Sequence, residues 1–180
     1  MATVYLSLGS NIAVQDNIAA ALDGLEDEFG KLQISSVYES ESVGFDGDNF
    51  FNLVVGIRTD TAVGEISLCL KRLENSRQRD RSAPKFSART LDIDILCVDD
   101  HHGSIDGIDL PRDEILKNAF VLLPLSEIAG DRLHPVTGVS YAQHCHDYDK
   151  HRQKLWPVEF VWRGGNITPV SYTHLRAHET

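Results

Sequence analysis

The order in which the hydrophobic period changes along the first half of this chain restricts its fold more than any other feature. In "TVYLSLGSN" Val4, Leu6 and Leu8 alternate with Tyr5 and Ser7, the two-residue period of a strand that ends at Gly9. Ile18, Leu22, Leu25 and Phe29 then recur at helical spacing. With Ser10 or Asn11 as a cap and Gly30 as a stop, they predict a helix over about 13–29. "KLQISSVYE" reads as a strand over about 31–39, and "FFNLVVGIRT" as another. Val63, Ile66, Leu70 and Leu73 make the apolar stripe of a second helix over about 62–76, and "TLDIDILCV" closes the series as a strand over about 90–98. Strand, helix, strand, strand, helix, strand is the β-α-β-β-α-β order of ferredoxin-like α+β folds, in which one antiparallel sheet carries both helices on one face. "DLP" and "FVLLPLSEIA" add an edge strand and a third helix near 118–129.

If the helices cover one face of the sheet, chemistry belongs on the other. Along the last strand Leu91, Ile93 and Ile95 point into the core, while Asp92 and Asp94 share the opposite face, roughly 6.6 Å apart from two rises of about 3.3 Å. Asn52 of "FFNLVV" joins them there, and parity places Cys97 on the core side. Two neighbouring carboxylates disfavour each other's charge unless a cation neutralises them. Oxygen-only ligands on a hydrated face suit Mg²⁺, which takes one or two carboxylates and completes its shell with water and substrate phosphates. The other reading of the pair is an ion pair with Arg89 or Lys71 on a solvated surface. No G-x-x-x-x-G-K-[ST] segment occurs, so the chain is not a P-loop protein.

Composition narrows the partner. A chain of 180 residues, 42% hydrophobic, suits one domain, expected over 1–169. A formal net charge of −10 disfavours nucleic acid or an anionic membrane. Yet Lys71, Arg72, Arg77, Arg79, Arg81, Lys85 and Arg89 face only Glu74 and Asp80 between residues 71 and 90, a compact basic island beside the aspartates. Carboxylates that hold Mg²⁺ next to guanidinium groups that bind phosphate oxygens bidentately are what a triphosphate requires. Loops 40–49 and 77–88 are the natural lids over such a site. Met1 leads straight into a strand, without a basic segment or a long apolar run, so no signal peptide or membrane span is expected and the location is cytoplasmic. Cys69, Cys97 and Cys145 are too widely spaced to make a disulfide framework. The last residues, "VSYTHLRAHET" over 170–180, read as an adapter-derived, non-native tail that replaces the natural C-terminus.

The stretches "YLSLGSN", "SSVYES", "FFNLVV", "LENSRQRDRSAPKFSARTLDIDIL" and "FVLLPLSEIA" together resemble the 6-hydroxymethyl-7,8-dihydropterin pyrophosphokinases of folate biosynthesis, collinearly over about 1–145. The resemblance implies a ferredoxin-like fold, ATP as co-substrate and two Mg²⁺ ions on Asp92 and Asp94. It also implies catalytic or nucleotide roles for Arg79, Arg81, Arg89, Glu74, Ile95 and Arg112. Pterin contacts are implied at Val43, Gly44, Phe50, Asn52, Phe86 and Phe120. The partners are then two small molecules, and the protein a monomer. The alternative is a noncatalytic paralogue that binds pterin or serves as a regulatory module.

The chain departs from the family's pattern at several positions. Ser40, Glu41 and Ser42 stand where a threonine and proline follow the tyrosine, Gln78 where glycine opens G-R-x-R, and Phe86, Ser87 and Ala88 where W-G-P precedes Arg89. Arg112 replaces the histidine of a proline-histidine pair, and Asn118 replaces an arginine. These changes bear on how ATP is held more than on the fold. "HCHDYDKH" offers His144, His146 and His151 without completing a metal pattern, and Trp156 and Trp162 read as packing residues of the C-terminal segment.

Overall fold

The structure is a computed structural model that describes residues 1–41, 49–77 and 91–169. The strands are β1 (Ala2–Ser10), β2 (Gln33–Ile34), β3 (Val37–Ser40), β4 (Phe50–Thr59), β5 (Asp92–Val98), β6 (Gly103–Ile105), β7 (Ile108–Leu110), β8 (Leu155–Val158), β9 (Val161–Trp162) and β10 (Gly165–Asn166). The helices are α1 (Val14–Phe29), α2 (Val63–Arg77), α3 (Glu114–Lys117), α4 (Ala119–Ala129) and α5 (Tyr141–Asp147). The main sheet runs β5-β1-β4-β3-β8, with β2 also on β4, and every pairing is antiparallel. That is the expected ferredoxin-like α+β order. No helix among the described residues is long and apolar enough to cross a membrane.

The inward residues of β1, Val4, Leu6 and Leu8, meet Ile18, Leu22 and Leu25 of α1 and Ile66 and Leu70 of α2 in one core. Burying each such side chain contributes about 1.5–3 kcal/mol. Helix α1 ends as the sequence predicts, with Gly30 at φ 83° donating its N–H to the Glu26 carbonyl at 2.8 Å. Its start differs. Ala13 is the cap residue and no side chain caps it, because Ser10 Oγ donates instead to the Ile12 carbonyl. Asn11 is buried, and its amide has no hydrogen-bond partner among the described residues.

The expected second strand is two. Ser35 and Ser36 interrupt it, Ser35 hydrogen-bonding to the Val54 backbone and Ser36 to the Glu127 carboxylate. "DLP" does not join the main sheet; β7 pairs with β6 in a separate hairpin. β8, unmarked in the sequence, lies outside β3 instead. The domain extends at least to Thr168, whose buried hydroxyl accepts from the Val37 N–H at 3.0 Å. The expected tail, 170–180, lies outside the described residues.

Helices α1 and α2 share one face, as the element order requires, and the second face is partly covered as well. Val121, Leu122, Leu125 and Ala129 of α4 pack with Tyr141 of α5 on Tyr5, Val54, Leu96 and Cys97. Cys97 reaches that face through a bulge: Leu6 pairs with Ile95 but Tyr5 with Cys97, leaving Leu96 as an extra residue. The bulge overturns the parity that puts Cys97 on the core side. Burial first of all pushes its thiol up to about pKa 11, with the Tyr141 hydroxyl 3.6 Å away. Among the described residues, what α4 leaves uncovered is the end of the face carrying Ser7, Gly9, Asp92 and Asp94.

Candidate active site on the open half of the sheet

Four strands contribute one residue each to a single row. Gly9 pairs with Asp92 on one side and with Asn52 on the other, and Asn52 pairs with Tyr38. With strands about 4.8 Å apart, Asp92 and Asn52 stand roughly 10 Å from each other across Gly9. Gly9 contributes no side chain, and the Asn52 amide leans over it. The glycine is needed, since a Cβ there would lie 2.8 Å from Asn52 Oδ1. Asn52 is 7% exposed, Asp92 half-buried and Asp94, one row along beside Ser7, exposed. Both aspartates project away from the α1/α2 core, as strand parity predicts.

The walls of this row are fixed from outside it. Glu74, near the end of α2, accepts the Ile93 N–H at 3.1 Å, holding the backbone between the two aspartates. Glu127 of α4 accepts from Ser36 N at 2.8 Å, Ser36 Oγ at 2.6 Å and the Tyr38 hydroxyl at 2.9 Å. One carboxylate therefore ties the second-face helix to the strand beside Asn52. On the far rim Glu39 accepts from Trp156 Nε1 at 3.1 Å and from Asn49 Nδ2 at 2.9 Å. Trp162 donates to Asp23 and lies under Arg163, so both tryptophans pack the C-terminal segment as expected.

Arg112 sits on the aspartate side, with its backbone N–H on the Leu96 carbonyl and Asp94 close enough to act on its charge. Its guanidinium forks onto Glu114 at 3.1 and 3.3 Å. Burial works to raise the Glu114 pKa; the hydrogen bond and charge of Arg112 outweigh it and leave the carboxyl below its usual range. Ile95 is buried in the α1/α2 core, so only its backbone can reach a ligand. Phe50 begins β4 and Phe120 begins α4; both are half-buried. Arg79, Arg81, Arg89, Phe86, Val43 and Gly44 lie outside the described residues.

Among the described residues no three His, Cys, Asp or Glu side chains cluster as a metal site. His144 instead shares a 2.7 Å hydrogen bond with Thr137. A pair of carboxylates with no nitrogen or sulfur donor clustered beside it among the described residues is the donor set for a cation that keeps waters and takes phosphate oxygens, and Mg²⁺ fits it.

The family model for 7,8-dihydro-6-hydroxymethylpterin-pyrophosphokinase matches residues 5–130, which include every row of this site. The chain belongs to that family. Similar pyrophosphokinases include the 2-amino-4-hydroxy-6-hydroxymethyldihydropteridine pyrophosphokinase of Aquifex aeolicus, 36% identical over 140 residues, covering 76% of this chain and 86% of that one. That of Porphyromonas gingivalis is 33% identical over 142 residues, covering 75% and 95%. Among solved structures, a Plasmodium falciparum HPPK-DHPS superposes with a TM-score of 0.69 at 14% identity, covering 92% of this chain and 48% of that chain. The chain thus spans about half the length of the two-part structures whose fold it shares.

Three features of this pyrophosphokinase-family site have no local signature in the sequence: the Glu127 clamp, the bulge at Leu96 and the hold of the C-terminal segment on its rim. Each joins residues remote in the chain or depends on register. The paired serines and tyrosine of "SSVYES" carry polar groups that would need a partner if buried, and that is the one signal that could have pointed to Glu127.

Proposed function

We propose that the chain transfers the pyrophosphoryl group of ATP to the hydroxymethyl oxygen of 6-hydroxymethyl-7,8-dihydropterin, releasing AMP. The observation that carries this reading is the row Asp92, Gly9, Asn52: a carboxylate on one side, an amide on the other, and between them a glycine whose missing side chain gives the amide its place. The hydroxymethyl oxygen forms a bond to the β-phosphorus, and the bond between that phosphorus and the oxygen bridging to the α-phosphate breaks.

Asp92 and Asp94 hold the Mg²⁺ ions, two in this reading, whose charge offsets that of the triphosphate when they are bound. Asn52 reads the hydrogen-bonding edge of the pterin, and Phe50, Phe86 and Phe120 supply stacking surface, with Val43 and Gly44 beside them. Arg79, Arg81 and Arg89 bind phosphate oxygens, Glu74 and the Ile95 backbone lie on the nucleotide side, and Arg112 joins them once it leaves Glu114. Catalysis then rests on alignment and charge neutralisation rather than on a protein nucleophile. We place the protein as a monomer in the cytoplasm, acting on these two small molecules.

Purified protein given Mg²⁺, ATP and the hydroxymethyl dihydropterin is expected to yield AMP and no ADP. ADP, or no nucleotide product at high enzyme concentration, overturns the reading. Asp94→Asn removes a metal ligand from an exposed position, so turnover should vanish while the melting temperature stays within a few degrees.

A further inference from the structure

Asn118 closes α3 and opens α4 in one extended residue, φ −121° and ψ 119°. Asparagine is among the best N-cap residues, yet its side chain caps neither helix. Its Oδ1 is taken by Gln153 Nε2 at 3.3 Å, and the first N–H of α4 is served by the same amide: Gln153 Oε1 accepts the Ala119 N–H at 2.7 Å. The glutamine is itself held. Asp149 accepts from the backbones of His151 and Arg152 to make a turn, and the Tyr148 hydroxyl donates to the Lys117 carbonyl at 2.8 Å. A segment more than 20 residues past the end of the family match, at residue 130, thus reaches back to the start of α4.

We infer that Gln153 is a positioning residue for the substrate site, fixing the first turn of α4 and with it the ring of Phe120. This rests on the pterin reading of Phe120 given above. Phe120 directly follows the residue whose N–H Gln153 holds, so a turn released at Ala119 moves the ring first. The pair also accounts for Asn118, where the family pattern has a long cation. Here a short side chain leaves room for Gln153 and becomes its acceptor.

The two bonds can be separated by substitution. Gln153→Met keeps the length and removes both; Gln153→Glu keeps an acceptor for the Ala119 N–H and loses the donor to Asn118. Calorimetry of the full chain with the hydroxymethyl dihydropterin, and separately with Mg²⁺ and a non-hydrolysable ATP analogue, reads the effect. Gln153→Met is expected to weaken pterin binding about tenfold with nucleotide binding unchanged, and Gln153→Glu to restore it to within about threefold of the wild type. An unchanged pterin affinity in Gln153→Met, whatever its melting temperature, overturns the inference, as does equal loss in both variants. If the wild-type protein itself binds no pterin, it is the reading of the site that fails.

Discussion

Gly9→Ala tests whether the place of the Asn52 amide over the strand is set by the missing side chain. Gly9 lies in a regular strand paired on both sides, so alanine fits its backbone. Its new Cβ would lie 2.8 Å from Asn52 Oδ1, while the next atoms, Asn52 Cγ and the Phe51 carbonyl oxygen, are at 3.9 and 4.0 Å, ordinary contact. All of the clash therefore passes through one side chain. Overpacking of this kind costs about 1–3 kcal/mol, set against a gain of about 0.4–1 kcal/mol from a stiffer unfolded chain. The net expectation in the wild-type background is a loss of about 0–2.6 kcal/mol by urea denaturation. In an Asn52→Ala background the clash is gone, and the same substitution should stabilise by about 0.4–1 kcal/mol. The sign change corresponds to a coupling of about 1–3 kcal/mol in a double-mutant cycle. If Asn52 reads the pterin edge as proposed, displacing its amide loses two neutral hydrogen bonds of about 1 kcal/mol each, a roughly 30-fold weaker pterin complex by calorimetry. Equal cost of Gly9→Ala in both backgrounds would refute the argument, because the strain would then lie in the strand and not against Asn52.

Three further outcomes follow from buried polar groups. Glu127→Ala removes an acceptor that Ser36 and Tyr38 share and should cost about 3 kcal/mol or more, against about 1 kcal/mol for Tyr38→Phe, both read by urea titration. Asn11→Leu replaces an unpartnered amide with an apolar side chain of similar size and should leave the ligand-free protein about 1–3 kcal/mol more stable, measured the same way. His134 is buried and accepts the Val136 and Thr137 N–H groups at Nδ1, and burial first, then the charges of His144 and His102, lower its pKa. The unfolded chain takes up a proton near pH 6.5 and the folded one does not, so stability is full above that pH and falls as pH drops towards the folded value, by at most about 1.4 kcal/mol per unit. His134→Gln should remove that part of the slope in melting curves between pH 7.5 and 5.5.

How far the sequence reaches depends on the range of the interaction that decides each feature. Periodicity is local, and the helices expected over about 13–29, 62–76 and 118–129 stand at Val14–Phe29, Val63–Arg77 and Ala119–Ala129. Strand parity is local too, which is why the shared face of Asp92 and Asp94 is readable from eight residues. Parity fails three residues later, where one extra residue at Leu96 turns Cys97 over; Leu96 and Cys97 are both apolar, so neither placement leaves a polarity mismatch in the sequence to betray the bulge. Pairings across the chain leave little mark: β8 on β3 and Gln153 on Ala119 join segments that say nothing about each other, and Glu127 on Tyr38 is hinted at only by the polar groups of "SSVYES". Gly9 belongs with these. In the sequence it is only where a strand stops, because what it contributes is space, and space between Asp92 and Asn52 exists only once register has set those two residues on either side of it.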